Sequence, residues 1–322
     1  MKDMISVLVT SAGVASAVNI IKALRLQEEL NISIIAVDCD RLAAGLYLAD
    51  HYYISPLIEE KDTYLQFLFD ICKKHNIKAL FPSYSREISY IASMQKTFNK
   101  LGVKTLLPTS FVIDLCNDKP RIISHMEKLG IPTPKIVNDP INADVPLFSK
   151  LLNGSGSKES FYIKDKHALS HALSLGNDRF FQEYIQGEEY TVDILCDRSS
   201  NVIFSGPRKR IETKAGQSVK GVTVHDDLLQ EYVKKICSLV EMVGACNIQF
   251  IKSKGKYYFI EINPRFAAGG LMLTVKAGAN LPLLALKLML EMSIHDKELE
   301  HTPNVSMTRY WEEIIREEMP CK

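Results

Sequence analysis

The sequence predicts an α/β protein with an α+β extension: a doubly wound parallel sheet first, then a larger region of mostly antiparallel strands. Two observations carry this. Strand-like and helix-like periodicities alternate over the first 110 residues, whereas past residue 112 strand signals recur with few helices between them. The length, 322 residues, fits two domains or three small ones at about 150 residues per domain.

The N-terminal elements follow from local pattern. Ser6–Thr10 and Ser33–Asp38 are short, nearly continuous apolar runs, as in parallel strands covered on both faces. Between them Val14, Val18, Ile21 and Leu24 mark one face of a helix. Tyr64, Phe67, Leu68 and Ile71 repeat that spacing before a strand at Ala79–Phe81, which Pro82 ends. A further helix through Ile88, Ile91, Gln95 and Phe98 precedes a strand at Val103–Leu107. The turn Thr10-Ser11-Ala12-Gly13 lacks the Gly-x-Gly-x-x-Gly spacing that admits a pyrophosphate, so a dinucleotide site is not expected despite Asp38 at the second strand's end. Ser83–Glu87, beyond a strand's carboxyl end, lies where open α/β sheets bind ligands.

In the second region Asn117-Asp118 caps a short helix entered through Pro120. Pro146–Lys150 and Ser160–Lys164 read as strands joined by the small-residue loop Asn153-Gly154-Ser155-Gly156-Ser157. Further strands are expected at Phe180–Tyr184, Glu189–Asp197, Val202–Ser205 and Val219–Val224, and a helix over Asp227–Val243. Cys246–Lys252 and Tyr257–Asn263 then form a hairpin around Gly255.

Composition narrows the function. Lys plus Arg total 39 against 38 for Asp plus Glu, a net charge of +1, which argues against a broad nucleic-acid or anionic-membrane surface. No apolar run approaches the ~20 residues of a membrane span. The apolar run Ile5–Val9 is shorter than the core of a secretory leader, and seven cysteines without a Cys-x-x-Cys suggest neither a disulfide framework nor a thiolate zinc site. A reduced, cytoplasmic protein is the expectation.

The chemistry concentrates in three segments. In YYFIEINPR (257–265) alternation puts Glu261 and Asn263 on one strand face, with Ile260 and Ile262 on the other. Positions 249 and 261 are equally far from Gly255, so Gln249 falls opposite Glu261. Three oxygen-bearing side chains thus converge, a donor set suited to Mg²⁺ that shares the ion with phosphate oxygens, and Arg265 follows within reach of a phosphate. Lys150 and the loop Gly154, Ser155, Gly156 and Ser157 offer a cation and consecutive backbone N–H groups to phosphates. Gln182, Glu183 and Ile185, followed by Gly187 and Glu189, offer backbone groups to a flat base and an acid to ribose hydroxyls. Arg208 and Arg210, in a basic cluster after a strand, and Gly269 and Gly270, after the metal strand, are candidate substrate contacts.

Taken together, KLLNGSGS, QEYIQGEEYTVD, NIQF and FIEINPRFAAGG resemble the ATP-grasp superfamily, in particular single-module proteins similar to one ATP-grasp unit of the carbamoyl-phosphate synthetase large subunit. The resemblance implies a pre-ATP-grasp domain over 1–112, a lid subdomain over 113–185 and a C-terminal subdomain with the metal site over 186–322. It implies that Lys119 and Lys150 hold the α- and β-phosphates, and that the Gly154–Ser157 loop closes over the triphosphate. Backbone groups of Glu183 and Ile185 would read adenine, and Glu189 the ribose. Gln249, Glu261 and Asn263 would hold Mg²⁺, as two ions replaceable by Mn²⁺, and Arg265 would stabilise the transferring phosphoryl group. The chain departs from the family pattern at Leu151, where Pro is frequent, and at Gln182, where Glu is frequent.

The implied activity is an ATP-dependent carboxylate–amine ligase with an acyl-phosphate intermediate, acting on amino-acid-like small molecules and compatible with a homodimer. Two alternatives stand beside it: a component of a carbamoyl-phosphate-forming assembly that needs partners, and a non-catalytic ATP-binding regulator.

Overall fold

The computed structural model describes residues 3–152, 160–176 and 178–316; the loop residues Gly154–Ser157 lie outside them. The first part comprises β1 (Ile5–Val9), α1 (Ala15–Arg25), β2 (Ile32–Asp38), β3 (His51–Ile54), α2 (Lys61–Lys74), β4 (Ala79–Phe81), α3 (Ser85–Ser93) and α4 (Gln95–Lys100). Its parallel sheet has the order β3-β2-β1-β4. Alternation along β1 explains why both faces are buried. Val7 and Val9 pack with Ile20, Ile21 and Leu24 of α1, while Leu8 packs with Tyr64, Leu68 and Ile71 of α2.

Three local expectations differ. The helix expected through Ile88–Phe98 breaks at Met94 into α3 and α4. Val103–Leu107 makes only a single bridge, Lys104 to Ala79, and β3 was not anticipated because its residues are largely exposed. The dinucleotide position is occupied by the chain itself: Gly13 N donates to Asp38 Oδ2 at 2.7 Å.

The second part contains α5 (Ser110–Asn117), α6 (Lys119–Lys128), β5 (Ile136–Val137), β6 (Leu147–Leu151), β7 (Phe161–Ile163), α7 (Lys166–Ser174) and β8 (Arg179–Glu183). Asp118 caps α6, accepting from Arg121 N at 3.1 Å with Pro120 in the first turn. A four-stranded antiparallel sheet, β5-β8-β6-β7, results.

The third part holds β9 (Glu188–Cys196), β10 (Val202–Lys214), β11 (Gln217–Thr223), α8 (Asp227–Leu239), β12 (Gly244–Ser253), β13 (Lys256–Asn263), α9 (Leu271–Lys276), α10 (Leu281–Met289) and β14 (Ser306–Thr308). Its sheet order is β13-β12-β9-β10-β11-β14. Helix α8 stops before Val243 because Glu241 and Gly244 take positive φ, and Asp226, beside the exposed His225, caps its start. Helices α9 and α10 return to the N-terminal sheet, so Leu271, Val275, Leu281 and Leu284 share one core with α1. None of the six described cysteines is in a disulfide, and no helix among the described residues is long and apolar enough to cross a membrane.

Lys287 anchors this return. It is 1% exposed, with Nζ 2.6 Å from Glu298 and 2.7 Å from Glu29. Burial opposes its charge, but the two carboxylates outweigh that and raise its pKa. Glu298 is lowered in turn, Lys287 and the His295 amide outweighing burial. Lys287→Ala should cost about 3 kcal/mol and lower Tm by several degrees. A raised lysine contributes fully below its unfolded pKa of about 10.4, and a lowered glutamate contributes only above about 4.3. Thermal melts should therefore show a constant gap between wild type and variant from about pH 6 to 9, narrowing below about pH 4.3.

Candidate active site

The hairpin of β12 and β13 sets the centre of the site. Lys254 and Gly255 have φ of 48° and 78°, the positive pair a two-residue hairpin turn needs. The turn is thus centred one half-residue before the expected Gly255. Pairing runs Lys252↔Tyr257 and Phe250↔Phe259, then slips by one at Ile260 and resumes as Gln249↔Glu261 and Asn247↔Asn263. The bulge restores the register that the offset turn would have lost. It also reverses facing: Tyr257, Phe259 and Ile262 join the core under α8, while Ile260, expected to share that face with Ile262, is the extra residue.

Glu261 is the hub. Gln249 Nε2 donates to its Oε1 at 2.7 Å and Asn263 Nδ2 to the same oxygen at 3.2 Å. Register places Gln249 beside Thr191 and Ile251 beside Glu189 of β9, and Arg210 of β10 opposite Glu189. Arg210 Nη1 donates to Gln249 Oε1 at 2.8 Å and lies 3.3 Å from Glu189 Oε2; Nη2 donates to Gly216 O at 2.8 Å. Its buried Nε has no partner among the described residues.

The other sheet supplies the opposing cations. Lys150, on β6, and Lys119, the first residue of α6, both feel the charge of Glu261. Burial lowers both pKa values, and Glu261 offsets part of that effect. For Glu261 burial alone would raise the pKa. Lys150, the Asn263 amide, Lys119 and Arg210 outweigh it, so the carboxyl sits below its ordinary range. Burial lowers Arg265 too, against the pull of Glu261. Two lysines, two arginines and the carboxylates of Glu261 and Glu189 therefore lie within each other's electrostatic reach. Strand β8 pairs with β6, and on it Gln182 is 4% exposed and its Oε1 has no partner among the described residues. Glu183 N is committed to Lys135 O at 2.9 Å.

The remaining candidates divide. Arg210 is one of these charged groups, but the basic cluster is mid-strand, since β10 continues to Lys214 instead of ending at Ser205. Arg208 is 3% exposed and buried in a pair with Asp193, Nε–Oδ2 3.1 Å, with Ser218 Oγ 3.2 Å away and Thr274 donating to Asp193 at 2.6 Å. Gly270 makes room for that guanidinium: a Cβ there would lie 2.1 Å from Arg208 Cζ. A Cβ on Gly269 would lie 2.5 Å from Ser218 N. Both glycines thus serve a close approach of β10–β11 to the loop after Arg265.

One residue escaped the sequence reading, and another was named only as part of a segment. Arg309, just after β14, donates from Nη1 to Gln217 Oε1 at 2.8 Å and from Nη2 to Ala268 O at 3.1 Å. Its partners are neutral, and burial followed by Arg208 lowers its pKa. Ser85, within the expected ligand segment Ser83–Glu87, accepts from Arg265 Nε at 3.1 Å. An open groove of about 1030 Å³ between α6 and Leu239–Glu241 is lined by none of these residues.

Glu261→Gln removes the carboxylate whose charge acts on Lys119, Lys150 and Arg265. Isothermal titration with ADP should show the Mg²⁺-dependent part of the affinity falling by at least about tenfold, given roughly 1.5–3 kcal/mol for a charged hydrogen bond, with Mg²⁺-free binding changed far less.

Residues 177–313 match the family model described as ATP-grasp in the biosynthetic pathway with Ter operon, and residues 7–106 match the PylC-like N-terminal domain. The chain is 24% identical over 309 residues to the carbamoyl phosphate synthase large chain of Clostridium perfringens, covering 87% of this chain and 28% of that one. It is 23% identical over 279 residues to Staphylococcus aureus pyruvate carboxylase, covering 76% and 24%. It thus spans about a quarter of the length of these relatives. Among solved structures, the biotin carboxylase domain of Hydrogenobacter thermophilus 2-oxoglutarate carboxylase, crystallised with MgADP and bicarbonate, superposes with a TM-score of 0.72 at 18% identity, covering 94% of this chain and 74% of that one. An L-amino acid ligase from Bacillus licheniformis gives 0.69 at 15% identity, covering 94% and 78%. These likenesses establish a common fold.

Proposed function

We propose that this chain, which belongs to the ATP-grasp superfamily, is an ATP- and Mg²⁺-dependent ligase that joins a small-molecule carboxylate to an amine through an acyl phosphate. What supports the reading is that Lys119, Lys150, Arg210 and Arg265 all feel the charge of Glu261, Arg210 being joined to it through Gln249. Four cations against Glu261 and Glu189 leave an excess of positive charge, which a polyphosphate balances.

The donor set fits Mg²⁺. Gln249 and Asn263 carry amide oxygens and Glu261 a carboxylate, all hard donors on one face; both amides here turn N–H toward Glu261 while Gln249 Oε1 accepts from Arg210, so they would rotate to present oxygen to the ion. When bound, the ion would neutralise phosphate charge during transfer. Lys119 and Lys150 would hold phosphates, Arg210 would reach them through its unpartnered Nε, and Glu189 would take the ribose. Gln182 Oε1, a buried acceptor lacking a donor, suits the exocyclic amine of adenine, and Glu183 and Ile185 would contribute backbone groups.

In the reaction a carboxylate oxygen attacks the γ-phosphorus and the bond to ADP breaks. Arg265 would stabilise the charge on the transferring group. No general base is needed for this step, because a carboxylate is ionised at neutral pH. The amine nitrogen then attacks the acyl carbon and phosphate leaves, carrying the original carboxylate oxygen, while the amine loses a proton. Arg309, half-buried among neutral partners, suits a substrate carboxylate. Amino acids or similar small molecules are the substrate class we favour. The likeness to carbamoyl phosphate synthase large chains favours one second reading, a component of an assembly that phosphorylates bicarbonate.

Incubation with Mg-ATP, pooled amino acids and hydroxylamine should yield ADP, phosphate and a hydroxamate. AMP with pyrophosphate contradicts the mechanism, and bicarbonate-dependent ADP release without hydroxamate selects the second reading. Arg265→Ala should lower the turnover by at least about tenfold, from the loss of a charged hydrogen bond.

A further inference from the structure

We infer that Ser85, from the N-terminal sheet, is a positioning residue that orients Arg265 toward the transferred phosphoryl group; this rests on the function proposed above. Ser85 opens α3, and the loop before it is held by a buried carboxylate. Glu87, 0% exposed, accepts from Thr10 Oγ1 at 2.7 Å, Ser83 N at 2.8 Å and Tyr84 N at 3.0 Å through one oxygen, and from Tyr64 OH at 2.5 Å through the other. Four donors from three elements fix the backbone of Ser83 and Tyr84, so the position of Ser85 is set before any ligand arrives.

Arg265 meets that fixed point from the other side. Its Nε donates to Ser85 Oγ at 3.1 Å and its Nη1 to the carbonyl of Phe266 at 3.1 Å. Nη2 makes no hydrogen bond among the described residues. A guanidinium carries its donors in a rigid planar fork, so fixing two nitrogens fixes the direction of the third. The junction is braced nearby by Asn19 Nδ2 donating to Ala268 O at 2.9 Å and by the Phe81–Phe266 ring contact. Side-chain freedom that Arg265 would otherwise lose on meeting phosphate is already removed, the preorganisation that phosphoryl transfer rewards.

The reading makes Ser85 selective for the γ-phosphoryl group over the rest of the nucleotide. Titration calorimetry with Mg²⁺ and either a non-hydrolysable ATP analogue or ADP should give, for Ser85→Ala, ADP affinity within about twofold of wild type. The preference for the analogue over ADP should fall about tenfold or more, the size of one charge-assisted hydrogen bond, and Ser85→Thr should restore it. An unchanged preference in Ser85→Ala overturns the inference and leaves the proposed function standing. Equal loss of both affinities together with a lowered Tm also overturns it, assigning Ser85 a structural role. A wild-type protein that binds neither nucleotide overturns the function and the inference together.

Discussion

The burial of one carboxylate among cations is the constraint on which the site depends. Glu261 would be raised in pKa by its surroundings, yet Lys150, Asn263, Lys119 and Arg210 hold it low. That balance needs β13 of one sheet to face β6 of another and the first turn of α6. Removing any one wall strands charge in a poorly solvated cleft, which is costly. The same balance leaves net positive charge among these side chains, which is the charge that the proposed binding of a triphosphate would offset.

The N-terminal sheet contributes through a different physics. At its strand ends Asp38 accepts from the amide of Gly13. Its carboxyl edge meets the loop after β13, with Ser85 against Arg265 and Asn19 against Ala268. The continuous core shared by α1, α9 and α10 makes that junction rigid, and Lys287 ties its outer end to Glu29 and Glu298.

What was legible in the sequence was local or periodic. Asp118-Lys119-Pro120 announced a capped helix, and alternation in YYFIEINPR announced the face carrying Glu261 and Asn263. Pairing of Gln249 with Glu261 was predicted from a turn centred on Gly255; the structure reaches it by a shifted turn and a compensating bulge at Ile260. A bulge leaves no signature in composition, since an extra isoleucine between Phe259 and Glu261 fits either register. Arg208 reads in the sequence as a candidate substrate contact in a basic cluster after the strand signal ends at Ser205, and only the tertiary pairing with Asp193 reveals it as buried. Ser85 and Arg265 are separated by 180 positions, and Arg309 and Ala268 by 41, so no local pattern could join them.

The central claim is that a substrate carboxylate is phosphorylated before it meets the amine. Supplying amino acids labelled with ¹⁸O in the carboxyl group, together with unlabelled Mg-ATP and water, tests it directly by mass spectrometry of the products. The account predicts one ¹⁸O atom in the released phosphate for each coupled product and none in ADP. Phosphate free of label during coupled turnover, or label appearing in AMP, would contradict it.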